Sequence, residues 1–180
     1  MRKEWIKGMA VLLFLTNAGV GPAAAAGIPT KVIVRAVSRD AKVIGTNVGG
    51  ARITIRDTTT GMVLAEGVQK GGTGNTKLIM IKPRARGATV YNTPNAAGFL
   101  ATVMLERPTV VEVTAEGPLG TPQSTQRVSK TLLLVPGQDV LGEGILLEIH
   151  GFTVALLAPT KNDRVSVGSG LEVRAKVTMT

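Results

Sequence analysis

The side chains able to do chemistry are few, and none stands at a spacing that chemistry requires. His150 is the single histidine, and the chain has no cysteine. Metal centres built on imidazole or thiolate need two or more such ligands, so a metal would have to rest on carboxylates alone. No metal and no cofactor is expected. A cysteine nucleophile is excluded by composition. A Ser-His-acid arrangement would have to recruit Ser38, Ser124 or Ser129 to His150, and no nucleophile-elbow sequence surrounds any of them. His150, next to Gly151 at a junction between strands, reads as a surface or turn residue. Glu112 and Glu116 are the carboxylates to consider for acid–base work, but that spacing along a strand points both to the same wet face. Residues 71–77, Gly-Gly-Thr-Gly-Asn-Thr-Lys, look superficially like a phosphate loop. They lack the Gly-Lys-Ser/Thr ending, and no helix is expected after them to present its N-terminus. A flexible hairpin loop is the simpler reading. The expectation is a protein that is not an enzyme.

Charge gives a better lead than catalysis. From Gly67 to Leu105 there is no acidic residue, while Lys70, Lys77, Lys82, Arg84 and Arg86 contribute five positive charges. Gathered on one loop, they would draw in an anionic partner through screened long-range forces. Arg84 and Arg86 can also grip carboxylates or phosphates bidentately. These five residues are the candidate binding site, for a protein or an anionic envelope component. The alternative is a solvated loop whose charges only discourage edge-to-edge aggregation.

The N-terminus supplies an address. Arg2, Lys3 and Lys7 precede an apolar run from Gly8 to Leu15, and Ala24-Ala25-Ala26 offers the small-residue pattern cut by a signal peptidase. A membrane-spanning helix needs about 20 apolar residues, and Thr16-Asn17 interrupts this run. The expectation is a signal peptide over 1–26 and a periplasmic or extracellular mature protein starting at Gly27. Without a leader cysteine there is no site for a lipoprotein anchor, and no later segment is long and apolar enough for stable membrane insertion. The leader takes two of the nine net positive charges with it. What remains keeps only Tyr91, Phe99 and Phe152 as aromatics. Export and the lack of stacking surfaces argue against nucleic acid as a partner.

The elements that must position these residues follow from alternation with period two. Lys31–Val37 is a strand candidate with mixed faces. Ala51–Asp57 puts Ala51, Ile53 and Ile55 on one side and Arg52, Thr54 and Arg56 on the other. Asp57-Thr-Thr-Thr-Gly61 supplies a tight turn with glycine at a position of positive φ, and Met62–Gly67 returns as the second arm of a hairpin. Lys77–Lys82 reads as a short strand within an elaborated loop. Further strands are expected at Gly98–Leu105, Thr109–Ala115, Gln126–Val135, Ile145–Ile149, Phe152–Leu157 and Leu171–Val177. No segment after the leader has a convincing helical apolar period. The expected fold class is all-β, an antiparallel β-sandwich whose core is aliphatic.

Two resemblances sharpen this. The hairpin from Gly49 to Gly67 resembles the opening of carboxypeptidase-regulatory-like domains, which are transthyretin-like seven-stranded sandwiches. Gly98–Leu105 is similar to their later "G-x-F-x-A-x-L" strand. The resemblance implies a structural or binding module and carries no activity. Hydroxyisourate hydrolases share that fold family but rely on several histidines and arginines and a Tyr-Arg-Gly-Ser tail, whereas this chain has one histidine and ends Val-Thr-Met-Thr180. Residues 152–177 are similar to the first two strands of bacterial Ig-like domains. The organisation expected is therefore a signal peptide at 1–26, a β-sandwich at 27–150 with a basic insert at 69–97, and C-terminal strands at 151–180. Those last strands either complete the sandwich or begin a second, truncated domain. Two functions follow: a binding module acting through loops and sheet edges, or a carrier holding a small hydrophobic ligand between sheets against Leu132, Leu134, Leu146 and Phe152.

Overall fold

The computed structural model describes residues 26–39 and 41–179. The export signal expected over 1–26 lies outside the described residues, Ala26 excepted. Among the described residues no helix is long and apolar enough to cross a membrane. Over the described residues the protein is all-β. Its strands are β1 (Ile28–Ser38), β2 (Ala51–Asp57), β3 (Val63–Gln69), β4 (Phe99–Leu105), β5 (Thr109–Gly117), β6 (Gln126–Leu134), β7 (Val140–Ile149), β8 (Phe152–Ala158) and β9 (Arg174–Met179), with one short helix, α1 (Thr76–Met80).

Alternation becomes burial. In β2, Ala51, Ile53 and Ile55 are fully buried while Arg52 and Arg56 reach solvent. In β5, Val111, Val113 and Ala115 do the same. The β2–β3 hairpin closes as its sequence requires. The Asp57 carboxylate accepts from the backbone N–H of Thr59 at 2.7 Å and of Thr60 at 3.3 Å, and Gly61 sits at φ 73°. A residue with a Cβ is strained at that φ; glycine is not.

Seven strands form two sheets, one in the order β4-β1-β7 and one in the order β3-β2-β5-β6. Their inward faces meet in a single cluster that takes Val32 and Val34 from β1, Val103 from β4, Ile53 and Ile55 from β2, Val113 from β5 and Leu147 from β7. The four-stranded sheet is antiparallel throughout. The three-stranded sheet corrects a detail of the expectation, because β1 pairs antiparallel with β4 but parallel with β7. Alternation reveals which face a strand buries, not the direction of its neighbour. The chain crosses from one sheet to the other between β6 and β7, which brings β7 beside β1 running the same way.

The tail strands β8 and β9 pair with each other and with neither larger sheet. Two strands alone are marginal in water. This ribbon is tied to the body by the Ser124 hydroxyl, which donates to the Val154 carbonyl at 2.7 Å and accepts from the Val154 N–H at 2.9 Å. Phe152, Val154 and Leu156 share one ribbon face with their cross-strand partners Met179, Val177 and Ala175, all exposed.

Lys77–Lys82 is not a strand. α1 occupies most of it, because Asn75 caps the helix by accepting from the Leu78 N–H at 3.2 Å. A side-chain oxygen at this position satisfies a donor that the first turn leaves open. Ile79 alone is drawn fully inward, and Pro83 follows one turn later.

Candidate functional site

The chain between β3 and β4, residues 70–98, is a folded unit laid on the outer face of the three-stranded sheet. It has a small core of its own, in which Ile79, Val90, Tyr91 and Ala97 pack with Val37, Val43 and the half-buried Leu146. The covering explains why Val34–Ser38 of β1 is buried on both faces, with no outward polar lane.

Two charged residues hold the unit in place. Arg35 points outward from β1 into the covered face and is 3% exposed. Its guanidinium donates to the Ala97 carbonyl at 2.7 Å and to the Asn92 side-chain oxygen at 2.8 Å, while Nε has no partner. Burial pushes the guanidinium below the usual arginine range, and the charge of Glu143 acts in the opposite sense. The Glu143 carboxylate in turn accepts three backbone N–H groups of the insert, from Val90 and Tyr91 at 2.8 Å and from Asn92 at 3.1 Å.

A local feature of β7 aims Glu143. Val32 pairs with Val140 and Val34 with Ile145, so two steps along β1 face five along β7 and the excess bulges out. Gly142 and Gly144 flank Glu143 at φ 71° and 72°, and a Cβ on Gly144 would lie 2.3 Å from the Ile33 carbonyl oxygen. Bulges re-aim side chains in this way. A third buried polar group, Gln69, ties the end of β3 to β1, accepting from the Ala36 N–H at 2.7 Å and donating to the carbonyls of Ala36 and Ile44.

On this platform all five candidate residues are exposed. Four of them, Lys77, Lys82, Arg84 and Arg86, lie on α1 and the turn after it. Lys70 stands apart, in a bridge with Gly98 at the root of the insert. Arg84 is held in position: it donates to the Ile79 carbonyl at 2.9 Å, and its guanidinium carbon lies 5.4 Å from the centroid of the Tyr91 ring, within cation–π range. Residues 80–89 are exposed without a break, and Met80 and Ile81 sit among the cations at 40% and 73% exposure. The stretch that reads in sequence as an elaborated loop is a short helix and a turn, with the Arg84 side chain bonded back to the helix.

A helix does follow the glycine-rich segment, contrary to the expectation. It is only five residues long, and Asn75 already occupies the Leu78 N–H. The glycines serve close backbone approach, since a Cβ on Gly71 would lie 2.7 Å from Ala97 Cα. His150 is exposed, with its main-chain N–H bonded to the Gln126 side chain, beside the exposed Arg39–Glu148 ion pair. The Ser124 hydroxyl is used by the tail ribbon. Glu112 and Glu116 lie opposite Arg56 and Arg52 across β2 and β5. Among the described residues no three His, Cys, Asp or Glu side chains gather to hold a metal. The proposed ligand-lining residues are dispersed: Leu134 is in the main core, Leu132 is packed against it, Leu146 faces the insert and Phe152 is on the exposed ribbon face.

Arg35, Glu143 and Gln69 were not legible as a site. The available signals were the unbroken buried run of β1, which marks a strand covered on both faces, and the Gly142-Glu143-Gly144 triplet. Comparison with protein-family models, with curated proteins and with solved structures found no match.

Proposed function

We propose that this chain is a non-enzymatic binding module of the cell envelope, exported and released by cleavage after Ala26, and built as a transthyretin-like β-sandwich whose basic insert engages an anionic partner. The observation that carries the reading is the anchoring of the insert. Arg35 and Glu143 commit a buried charge and a carboxylate to holding a tip that itself presents Lys77, Lys82, Arg84 and Arg86 to solvent. A loop kept only for solubility has no need of such fixing, whereas a recognition surface gains from losing little freedom on binding. The two sheets with one shared core support the sandwich. The dispersal of Leu132, Leu134, Leu146 and Phe152 favours this reading over a ligand carrier.

The test is retention of the mature protein on an envelope extract in low salt. Replacing Lys77, Lys82, Arg84 and Arg86 together by Gln is expected to abolish retention, and rising salt is expected to reproduce the loss. Retention unchanged by the four substitutions would rule out the insert as the binding surface.

A further inference from the structure

We infer that the partner of the insert is the surface of an anionic phospholipid bilayer, which the tip meets with its cations on the headgroups and Ile81 and Met80 in the acyl boundary. This rests on the reading of the insert as a binding surface and names its occupant. Charge complementarity is the first argument. No acid interrupts the chain from Gly67 to Leu105, so the tip carries Lys77, Lys82, Arg84 and Arg86 unopposed by any acid of its own segment. Clusters of this kind are drawn to anionic leaflets.

The second argument decides between an acidic polymer and a bilayer. An acidic polysaccharide would neutralise the cations and leave Ile81 and Met80 in water. Met80 at the end of α1 and Ile81 just after it face solvent while Ile79 turns in, and Ile81 is 73% exposed in the middle of the charged run. A lipid surface offers both environments at once, phosphate at the level of the Lys and Arg heads and hydrocarbon just beneath. Basic residues around a small apolar tip are how a protein lies on a membrane rather than spanning it. The anchoring by Glu143 and the seating of Arg84 over Tyr91 keep the apolar tip and the cations in one fixed arrangement. The tip therefore does not need to be ordered at the moment of docking.

The test is co-sedimentation of the mature protein with vesicles of phosphatidylcholine alone and of phosphatidylcholine mixed with phosphatidylglycerol. The expected result is binding to the mixed vesicles only, weakening as salt rises. Lys82→Gln with Arg86→Gln should lower the partition coefficient about 25-fold, taking each cation near the leaflet as worth about fivefold. Ile81→Ser with Met80→Ser should lower it about tenfold, from lost apolar burial; both side chains lie outside the core, so the fold is preserved. Equal binding to neutral vesicles, or binding indifferent to the Ser pair, overturns the inference. Failure to bind any vesicle also overturns it. If retention on envelope extract still depends on the four cations in that case, the binding module stands and its partner is an acidic protein or polymer. If neither assay responds to the cations, both readings fall.

Discussion

Replacing Glu143 by Ala should release the insert while leaving the two sheets folded. The carboxylate accepts three backbone N–H groups, and two of them belong to the buried residues Val90 and Tyr91. A buried donor left without an acceptor costs about 1–3 kcal/mol. With water able to reach Asn92, the substitution should cost about 2–4 kcal/mol, and it also leaves Arg35 facing no acid. Tyr91 is the only tyrosine, and a polypeptide prepared from Gly27 onward has no tryptophan, since the single one is Trp5. Near-ultraviolet dichroism or fluorescence of Tyr91 therefore reports the insert, while far-ultraviolet dichroism reports the sheets. About 1 kcal/mol corresponds to about 2–4 °C when the whole domain melts together and to more for a smaller unit, so the Tyr91 transition should fall by at least about 5–15 °C and separate from the sheet transition. Glu143→Gln keeps one acceptor oxygen and should lie between wild type and Ala. Coincident transitions at the wild-type temperature in the Ala variant would refute the claim that Glu143 pins the insert.

Other perturbations address the frame that carries the insert. Ile55→Ala removes a fully buried side chain between the sheets and should lower stability by about 2–5 kcal/mol in denaturant melts, moving the Tyr91 and far-ultraviolet signals together. Gly144→Ala places a Cβ 2.3 Å from the Ile33 carbonyl oxygen at a φ of 72°. It should cost about 1–3 kcal/mol and expose Tyr91 to the same kind of early melting as Glu143→Ala. Backbone hydrogen bonding, chiefly from Thr59, holds the Asp57 carboxyl below its ordinary value of 3.8. The unfolded chain then binds the proton more tightly, so this stabilisation is fully present above 3.8 and is lost as pH falls through the folded-state value. Asp57→Asn should flatten that part of the acid melt, visible as a smaller difference in stability between neutral and strongly acidic solution.

Much of the frame was legible because a half-buried strand writes its geometry into side-chain order. Ala51–Asp57 alternates so regularly that both its limits and its inward residues follow from the sequence, and Asp57 and Gly61 mark the turn by their own chemistry. Direction is not written in that way, and the parallel pairing of β1 with β7 had no local signature. α1 was misread because Leu78-Ile79-Met80-Ile81 is as apolar as a strand; a single side chain, Asn75, selects the helix. The cations of the candidate site could be counted in the sequence, but their anchoring could not. Arg35 and Glu143 lie 108 positions apart and act on the same insert only because a bulge in β7, permitted by Gly142 and Gly144, turns Glu143 toward it. Long-range polar contacts of this kind depend on topology, which composition and periodicity do not encode.

The central claim is that residues 70–98 form a fixed platform and not a loose basic loop. Amide hydrogen exchange of the protein, resolved at Ile79, Val90 and Tyr91, tests this most directly. Ile79 N–H is bonded to the Asn75 carbonyl, and Val90 and Tyr91 N–H to Glu143. Slow exchange at these three amides, with fast exchange at the exposed amides of Arg84 to Gly87 and of Thr89, is the predicted pattern. Exchange at unprotected rates through the whole of 70–98 would contradict it.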